Sequence, residues 1–453
     1  MQSSIADTTD RKAGYAVTKL SMEEILAQKG FGFANEKQKW AEDLSTEIMK
    51  AEPIRAVLTE IEKRFKQDPA YQLPGAAAIA ADAAYTLVYR TVTYVVTEDP
   101  LRPMLLWSYN TGRQDGNKIV PNVSFIDSAD SLYRMITLGK GYHYEITGKM
   151  ADNPAAYITF EAWNAAQGLA PTVAYVTHVQ SDTMTIADDG TFSVFAGPEE
   201  NPGYDNYLHL PEGGWIYVRE SMTDWAAQRP IEDLQIKVLD DLEIPAPTFD
   251  ELVARSVEVM HQSFDVYQTY LHKMFAEDDK NLYISFGNKP NTLRPQVATR
   301  GGAWGCVTGT LFTIPEDKAL VVTIKTGDAD YFAIQLHDAW GRALIPIYLT
   351  NRNKNGSALN PDGSVTYVLA HTDPGVANWL DVKGHQSGSL IVRWQGLDVP
   401  ADGSPAELVH GAQLVDRSEL DNVLPEGTAR TTAAQREHEL AIRKAAWSLR
   451  GKD

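Results

Sequence analysis

Cysteine is almost absent, with a single residue, Cys306, in 453. One thiol forms no internal disulfide and no cysteine-based zinc site. A reducing compartment suits such a chain better than an oxidising one. Basic charge is also scarce: 41 Lys and Arg stand against 60 Asp and Glu, a formal net charge of -19. So acidic a surface repels phosphate backbones and anionic headgroups, so nucleic acid and membranes are not expected partners. Long apolar runs are missing. Stretches such as 75–84 fall far short of a membrane span, and the start MQSSIADTTDRKAGYAV has no apolar core of signal-peptide length. The expected location is cytoplasmic. The sequence also lacks a Gly-x-Ser-x-Gly elbow, a His-Glu-x-x-His pair and a Gly-rich loop that opens a helix after a strand.

Hydrophobic residues make up 43% and charged residues 22%, an ordinary globular balance. At roughly 100–200 residues per domain, the length predicts two to four domains. Ser21 and Glu24 form a capping-box signature. Trp40, Leu44 and Ile48, then Ile54, Val57, Ile61 and Phe65, keep helical spacing, so about three helices are predicted over 21–96. After Pro100 the texture is β-like, with strands predicted at 142–147, 157–163, 172–178, 183–186, 191–195 and 215–219. A helix is predicted over about 249–274. Strands follow at 309–314, 320–325, 331–337, 343–349, 365–369 and 389–394, with a last helix from about Thr432 to Leu449. The expected organisation is a helical segment (1–100), a first β-sandwich module (101–245), linking helices (246–290), a second module (291–400) and a C-terminal extension with a helix (401–453).

The two β regions share short motifs in the same order. Glu161-Ala162-Trp163 matches Asp338-Ala339-Trp340, and Asp189-Gly190 matches Asp362-Gly363. Asn206-Tyr207-Leu208 matches Asn378-Trp379-Leu380, and Arg219 matches Arg393. This predicts an internal duplication. The expected class is mainly β with helical segments (α+β): two tandem antiparallel β-sandwich or jelly-roll-like modules.

The second copy runs through Gly301-Gly302-Ala303-Trp304-Gly305, His337-Asp338-Ala339-Trp340-Gly341, Asp373-Pro374-Gly375, Asn378-Trp379-Leu380-Asp381, Gly384-His385 and Arg393-Trp394. Over roughly 300–396 it resembles the bacterial family called domain of unknown function 1214, often paired with a relative numbered 1254. The resemblance implies a β-sandwich and homo-oligomers, and no settled activity.

Residues present in both copies read as scaffold more readily than as chemistry. Asn378 and Trp379 fit either a pocket or a loop anchor. An inward Arg393 needs an anionic partner, for which Asp373 or Asp381 is at hand; Arg219 suggests a structural ion pair. His337 stands where the motif match gives the first copy Phe160, so it is a candidate base as well as a candidate core histidine. His371, Asp373, Asp381 and His385 make a His/Asp-rich loop without standard zinc spacing, so neither a metal nor another cofactor is expected. The expected function is a metal-independent enzyme acting on a small apolar metabolite that bears a carbonyl, carboxyl or hydroxyl group. His337, His385 and Asp381 would do the chemistry. Trp304, Trp340, Tyr348, Asn378, Trp379 and Arg393 would bind the substrate. The alternative is a non-catalytic binding or oligomeric scaffold protein. A cavity shared by His337, Asn378 and Arg393 would favour the enzyme; separate core hydrogen bonds would favour the scaffold.

Overall fold

The structure, a computed structural model, describes residues 18–33, 35–109, 113–115, 118–121, 123–200, 202–273, 285–286, 289–293, 298–300, 305–397 and 406–451. Trp304 lies outside them, as does most of the irregular N-terminal stretch.

The N-terminal segment folds into α1 (Met22–Leu26), α2 (Glu36–Ile48), α3 (Glu52–Gln67) and α4 (Ala76–Val96). The Ser21–Glu24 capping box is present at α1. Ile54, Val57, Ile61 and Phe65 form the buried stripe of α3. On α2 the buried face runs through Ala41, Ser45 and Ile48, so Trp40, at the head of the expected stripe, is left exposed. α4 starts after Pro74-Gly75, where Gly75 takes φ 82°, a conformation that glycine adopts at little cost. From Thr86 to Val96 the helix is buried all round because α2, α3 and α5 (Phe249–Lys273) pack against it.

The first module contains β1 (Leu106–Ser108), β2 (Arg113–Asp115), β3 (Lys118–Val120), β4 (Ser131–Leu138), β5 (Tyr144–Lys149), β6 (Tyr157–Trp163), β7 (Tyr175–Gln180), β8 (Thr191–Gly197), β9 (Tyr207–His209), β10 (Gly214–Ser221) and β11 (Glu232–Val238). The second contains β12 (Ser285–Phe286), β13 (Ala298–Arg300), β14 (Gly305–Thr313), β15 (Lys318–Lys325), β16 (Tyr331–Asp338), β17 (Asn351–Asn353), β18 (Ser364–Ala370), β19 (Trp379–Asp381), β20 (Ser387–Gln395) and β21 (Val409–Asp416). After them come α6 (Leu420–Val423) and α7 (Ala433–Ser448).

The duplication is written in the topology. The larger sheets run β1-β4-β10-β6-β7 and β12-β14-β20-β16-β17; the smaller run β11-β5-β8-β9 and β21-β15-β18-β19. Pairing is mostly antiparallel, but β8–β9 and its counterpart β18–β19 are both parallel. Alternate residues of each sheet pair fill a sandwich core. Ile146, Phe160, Val194 and Val218 lie in the first core; Val322, Ile334, Tyr367 and Val392 lie in the second. Cys306 is a core residue there, its thiol pushed up to about 11 by burial.

The opposite faces of the two larger sheets share a further core with the helices. Tyr133, Trp215 and Tyr217 from one module, and Val307 and Ile391 from the other, pack with residues of α2 to α5.

Three local expectations change. Segment 343–349 is no strand: Pro346 opens a 3-10 turn, and Leu349 ends it at φ 61°. Segment 183–186 is irregular. The repeat also shifts register at one motif. Arg219 faces Thr159 of β6, as Arg393 faces Ala333 of β16, and four residues earlier Trp215 faces Trp163, as Ser389 faces His337. The counterpart of His337 is therefore Trp163, and the Glu161-Ala162-Trp163 motif does not overlie Asp338-Ala339-Trp340.

Candidate functional site

Arg393 and His337 lie between the modules. Both are buried on the outer face of their sheet and reach the 126–130 segment of the first module. The Arg393 guanidinium donates to the Ile126 carbonyl, and His337 Nε2 lies 2.9 Å from the Asp127 carbonyl. Of the two carboxylates expected near Arg393, Asp373 pairs with Arg436 and Asp381 accepts the Lys383 N–H. Burial, reinforced by the nearby Arg393 charge, pushes the His337 imidazole down to about 3. The ring is therefore neutral at ordinary pH, and its Nε2–H donates to that carbonyl. Around it Tyr217 OH donates to Asp127 Oδ2 at 2.7 Å, Ser128 Oγ meets Tyr331 OH at 2.9 Å, and the Ala129 N–H donates to Gln335 Oε1 at 3.0 Å. Arg219 pairs with Glu161 at 3.0 Å, with neither side chain exposed. Such groups must satisfy one another because no water replaces a missing partner.

Asn378 and Trp379 hold loops. The Asn378 amide accepts from the Ala358 N–H and donates to the Ala358 and Thr366 carbonyls. Asn206 makes the same three bonds with Thr185 and Ser193. Trp379 Nε1 donates to the Ala370 carbonyl, and Trp340 Nε1 to the Ala76 carbonyl at the start of α4. Thus His337 and Arg393 spend hydrogen bonds on the adjacent Asp127 and Ile126 carbonyls, while Asn378 spends its own on loop carbonyls elsewhere.

His385 and Tyr348 do come together. They line an open cleft of about 580 Å³ with Asp82, Tyr85 and Thr86 of α4, Val123, and Asp338, Arg342, Leu344, Ile345 and Lys383 of the second module. Asp338 builds one wall. Its carboxylate accepts the Trp340 and Arg342 N–H groups at 2.9 and 3.0 Å and pairs with Arg342 Nε at 2.7 Å. Asp381 does not line the cleft itself but accepts the Lys383 N–H at 2.7 Å. That contact holds Lys383 at φ 52°, a region costly for a residue with a Cβ. Lys383 Nζ lies 4.0 Å from the Tyr348 ring centroid and 3.9 Å from Asp381 Oδ2. Tyr85, Ile345 and Tyr348 are exposed there. Burial lowers the pKa of His385, an effect that Asp338 opposes and Arg342 reinforces. Burial raises that of Asp381. The cleft thus combines a neutral imidazole, two cations, two carboxylates and two phenol rings, with one cation, Arg342, paired to Asp338.

His371 and Asp373 are tied elsewhere, to the Ile314 carbonyl at 2.8 Å and to Arg436 at 2.8 Å. Among the described residues no group of three or more His, Cys, Asp or Glu is placed to hold a metal ion. The sequence reading missed Arg342, Lys383 and Tyr85. Asp338 lies inside the quoted motif and offered a hint of Arg342, but Tyr85 lies far away in the chain and carries no local signal.

Fold and site together define a tandem β-sandwich protein with a helical layer against both modules. Residues 322–396 match the model of the family described as "Protein of unknown function (DUF1214)". No curated protein gives a significant match. Among solved structures, an uncharacterized protein from Burkholderia cenocepacia is 20% identical with a TM-score of 0.60, over 83% of this chain and 99% of that one. At this identity the likeness is one of fold. The VPA0106 protein from Vibrio parahaemolyticus is 11% identical with a TM-score of 0.37, over 64% of this chain and 90% of that one. Among the described residues no helix is long and apolar enough to cross a membrane.

Proposed function

We propose that the cleft between α4 and the second module is the active site of an enzyme that moves a proton on a small metabolite joining an apolar body to a carboxylate, carbonyl or hydroxyl group. One observation carries this reading: His385, Arg342, Lys383, Tyr85 and Tyr348 converge on a single open cleft of about 580 Å³, within the size range of small-molecule sites. A histidine whose pKa lies below its ordinary value is a free base at neutral pH. Arg342 and Lys383 suit a carboxylate or a developing oxyanion. Tyr85, Ile345 and Tyr348 suit the apolar body. Asp381 acts through Lys383 as a positioning residue. This reading leaves His337, Asn378, Trp379 and Arg393 to the scaffold.

The test is incubation of the protein with a metabolite extract, followed by mass spectrometry and by thermal-shift titration of each compound consumed. Wild type depletes a carboxylate or carbonyl compound. His385→Ala slows that turnover by about 10²–10⁴-fold, the usual weight of a general base, and still binds the compound. Saturable binding without turnover in wild type supports the non-catalytic alternative. Unchanged turnover in His385→Ala removes the cleft from the chemistry.

A further inference from the structure

Trp40 stands out on α2. The stripe that begins with it ends at fully buried Ile48, yet Trp40 itself stays 53% exposed. It forms one wall of an open cavity of about 660 Å³, within the size range of small-molecule sites. The other walls are the end of α4, the segment 99–104, the edge strand β11 and the linker from β11 to α5. The lining is mostly apolar: Leu44, Val96, Leu101, Met104, Val238 and Leu252 share it with Trp40. Leu242 and Ile244 of the linker are exposed as well. Apolar side chains gathered round an open cavity mark an interaction site.

The linker wall is fixed at three points. The Leu239 N–H donates to the His143 carbonyl at 2.7 Å, Arg102 donates to the Ile244 carbonyl at 2.6 Å, and the Thr248 N–H donates to Glu251 at the start of α5 at 2.7 Å. A cavity held in this way needs little ordering when a ligand enters.

Charge sets the ligand's polar end. Three cations and two carboxylates line the cavity, a positive excess in a chain of net charge -19. Arg102 is spent on Asp99 at 2.5 Å and Lys237 on Glu145 at 2.6 Å. Lys37 makes no ion pair among the described residues. Lys37, Trp40 and Leu44 follow i, i+3, i+7 spacing, so they lie on one face of α2. That face runs about 10 Å from the ammonium-bearing residue to Leu44. A head group on Lys37 therefore lays its tail over Trp40 and Leu44. Glu36 shares the Lys37 end and disfavours a second negative charge there.

We propose that this cavity binds a medium-chain monocarboxylate, with the carboxylate on Lys37 and the alkyl chain along Trp40 and Leu44. It is separate from the His385 cleft. Thr86 lines the cleft and Val96 this cavity, ten residues apart on α4, or about 15 Å along the helix.

Sodium octanoate, kept below the concentration at which it forms micelles, is titrated calorimetrically into the full chain, with sodium acetate and 1-octanol as controls. Octanoate binds saturably with a negative heat-capacity change, and acetate does not. Lys37→Met, at an exposed position, weakens octanoate about fivefold and leaves 1-octanol unchanged. Trp40→Glu, also at an exposed position, removes the binding of both. His385→Ala keeps the Trp40-dependent binding, so this cavity is tested apart from the cleft. Absence of saturable octanoate binding, equal binding of acetate, or an affinity unmoved by Lys37→Met or by Trp40→Glu each overturns the proposal. So does a dimer in sedimentation that Trp40→Glu splits and that takes up no octanoate, because the face then joins two copies of the chain.

Discussion

Asp127 and His337 show how single residues bind the two modules together. Asp127 serves through its side chain and its backbone: the carboxylate takes Tyr217 OH and the carbonyl takes His337 Nε2. Burial raises the pKa of that carboxylate and pushes His337 down to about 3. In the unfolded chain His337 gains its proton near pH 6.5, while the folded ring stays neutral to about 3. The unfolded state therefore binds more protons between these values, and stability falls as pH falls from about 6.5 towards 3, by up to about 1.4 kcal/mol per pH unit. His337→Phe removes this contribution. Urea unfolding from pH 7 to pH 4 is expected to show a steeper acid loss in wild type, with about one extra proton taken up on unfolding at pH 5. Parallel curves for the two proteins would mean that His337 is not held neutral. The opposite drift of Asp127 cancels because both proteins carry it.

At the scale of elements, α7 acts as a clasp. Arg436, Glu439 and Arg443 are charged, yet all three are buried against their own chain. Arg352 and Arg436 converge on the two Glu439 oxygens, Arg436 also reaches Asp373, and Arg443 donates to the Pro346 carbonyl and Asn351. Leu440 packs on the outer face of the small sheet with Val321, Val368 and Trp379. Periodicity found the helix, which Thr432 and Gln435 open with a capping box, but charge alone does not reveal a buried face. The same limit explains why the strand expected at 343–349 is absent, where β-like composition gave way to the geometry imposed by Pro346. Glu439→Ala leaves buried Arg352 without its carboxylate and Arg436 with Asp373 alone, and is expected to cost about 3–5 kcal/mol in denaturant unfolding. Glu437→Ala, at an exposed position, is expected to stay within about 0.5 kcal/mol. Equal effects would mean that α7 does not bear this charge network.

At the scale of the whole molecule, duplication sets up the modules and asymmetry marks the places where they differ. The recurring Asn and Arg were legible as scaffold from sequence. Asn206 and Asn378 make matching loop bonds, and Arg219 pairs with Glu161 as anticipated. His385 and Tyr348 were legible because the motif-rich second copy singled them out. Asp82 and Tyr85 were not, because tertiary packing alone brings α4 against that module. His337 was singled out for a difference between the copies that is real, Trp163 against His337, but that lies inside the interface.

Small molecules are proposed to bind between α4 and the second module. Crystals soaked with a fragment library rich in aromatic and aliphatic carboxylates test it most directly. Carboxylates are expected beside Arg342 and Lys383, with their apolar ends against Tyr85 and Tyr348. Fragments that cluster on another surface and leave this cleft empty would contradict it.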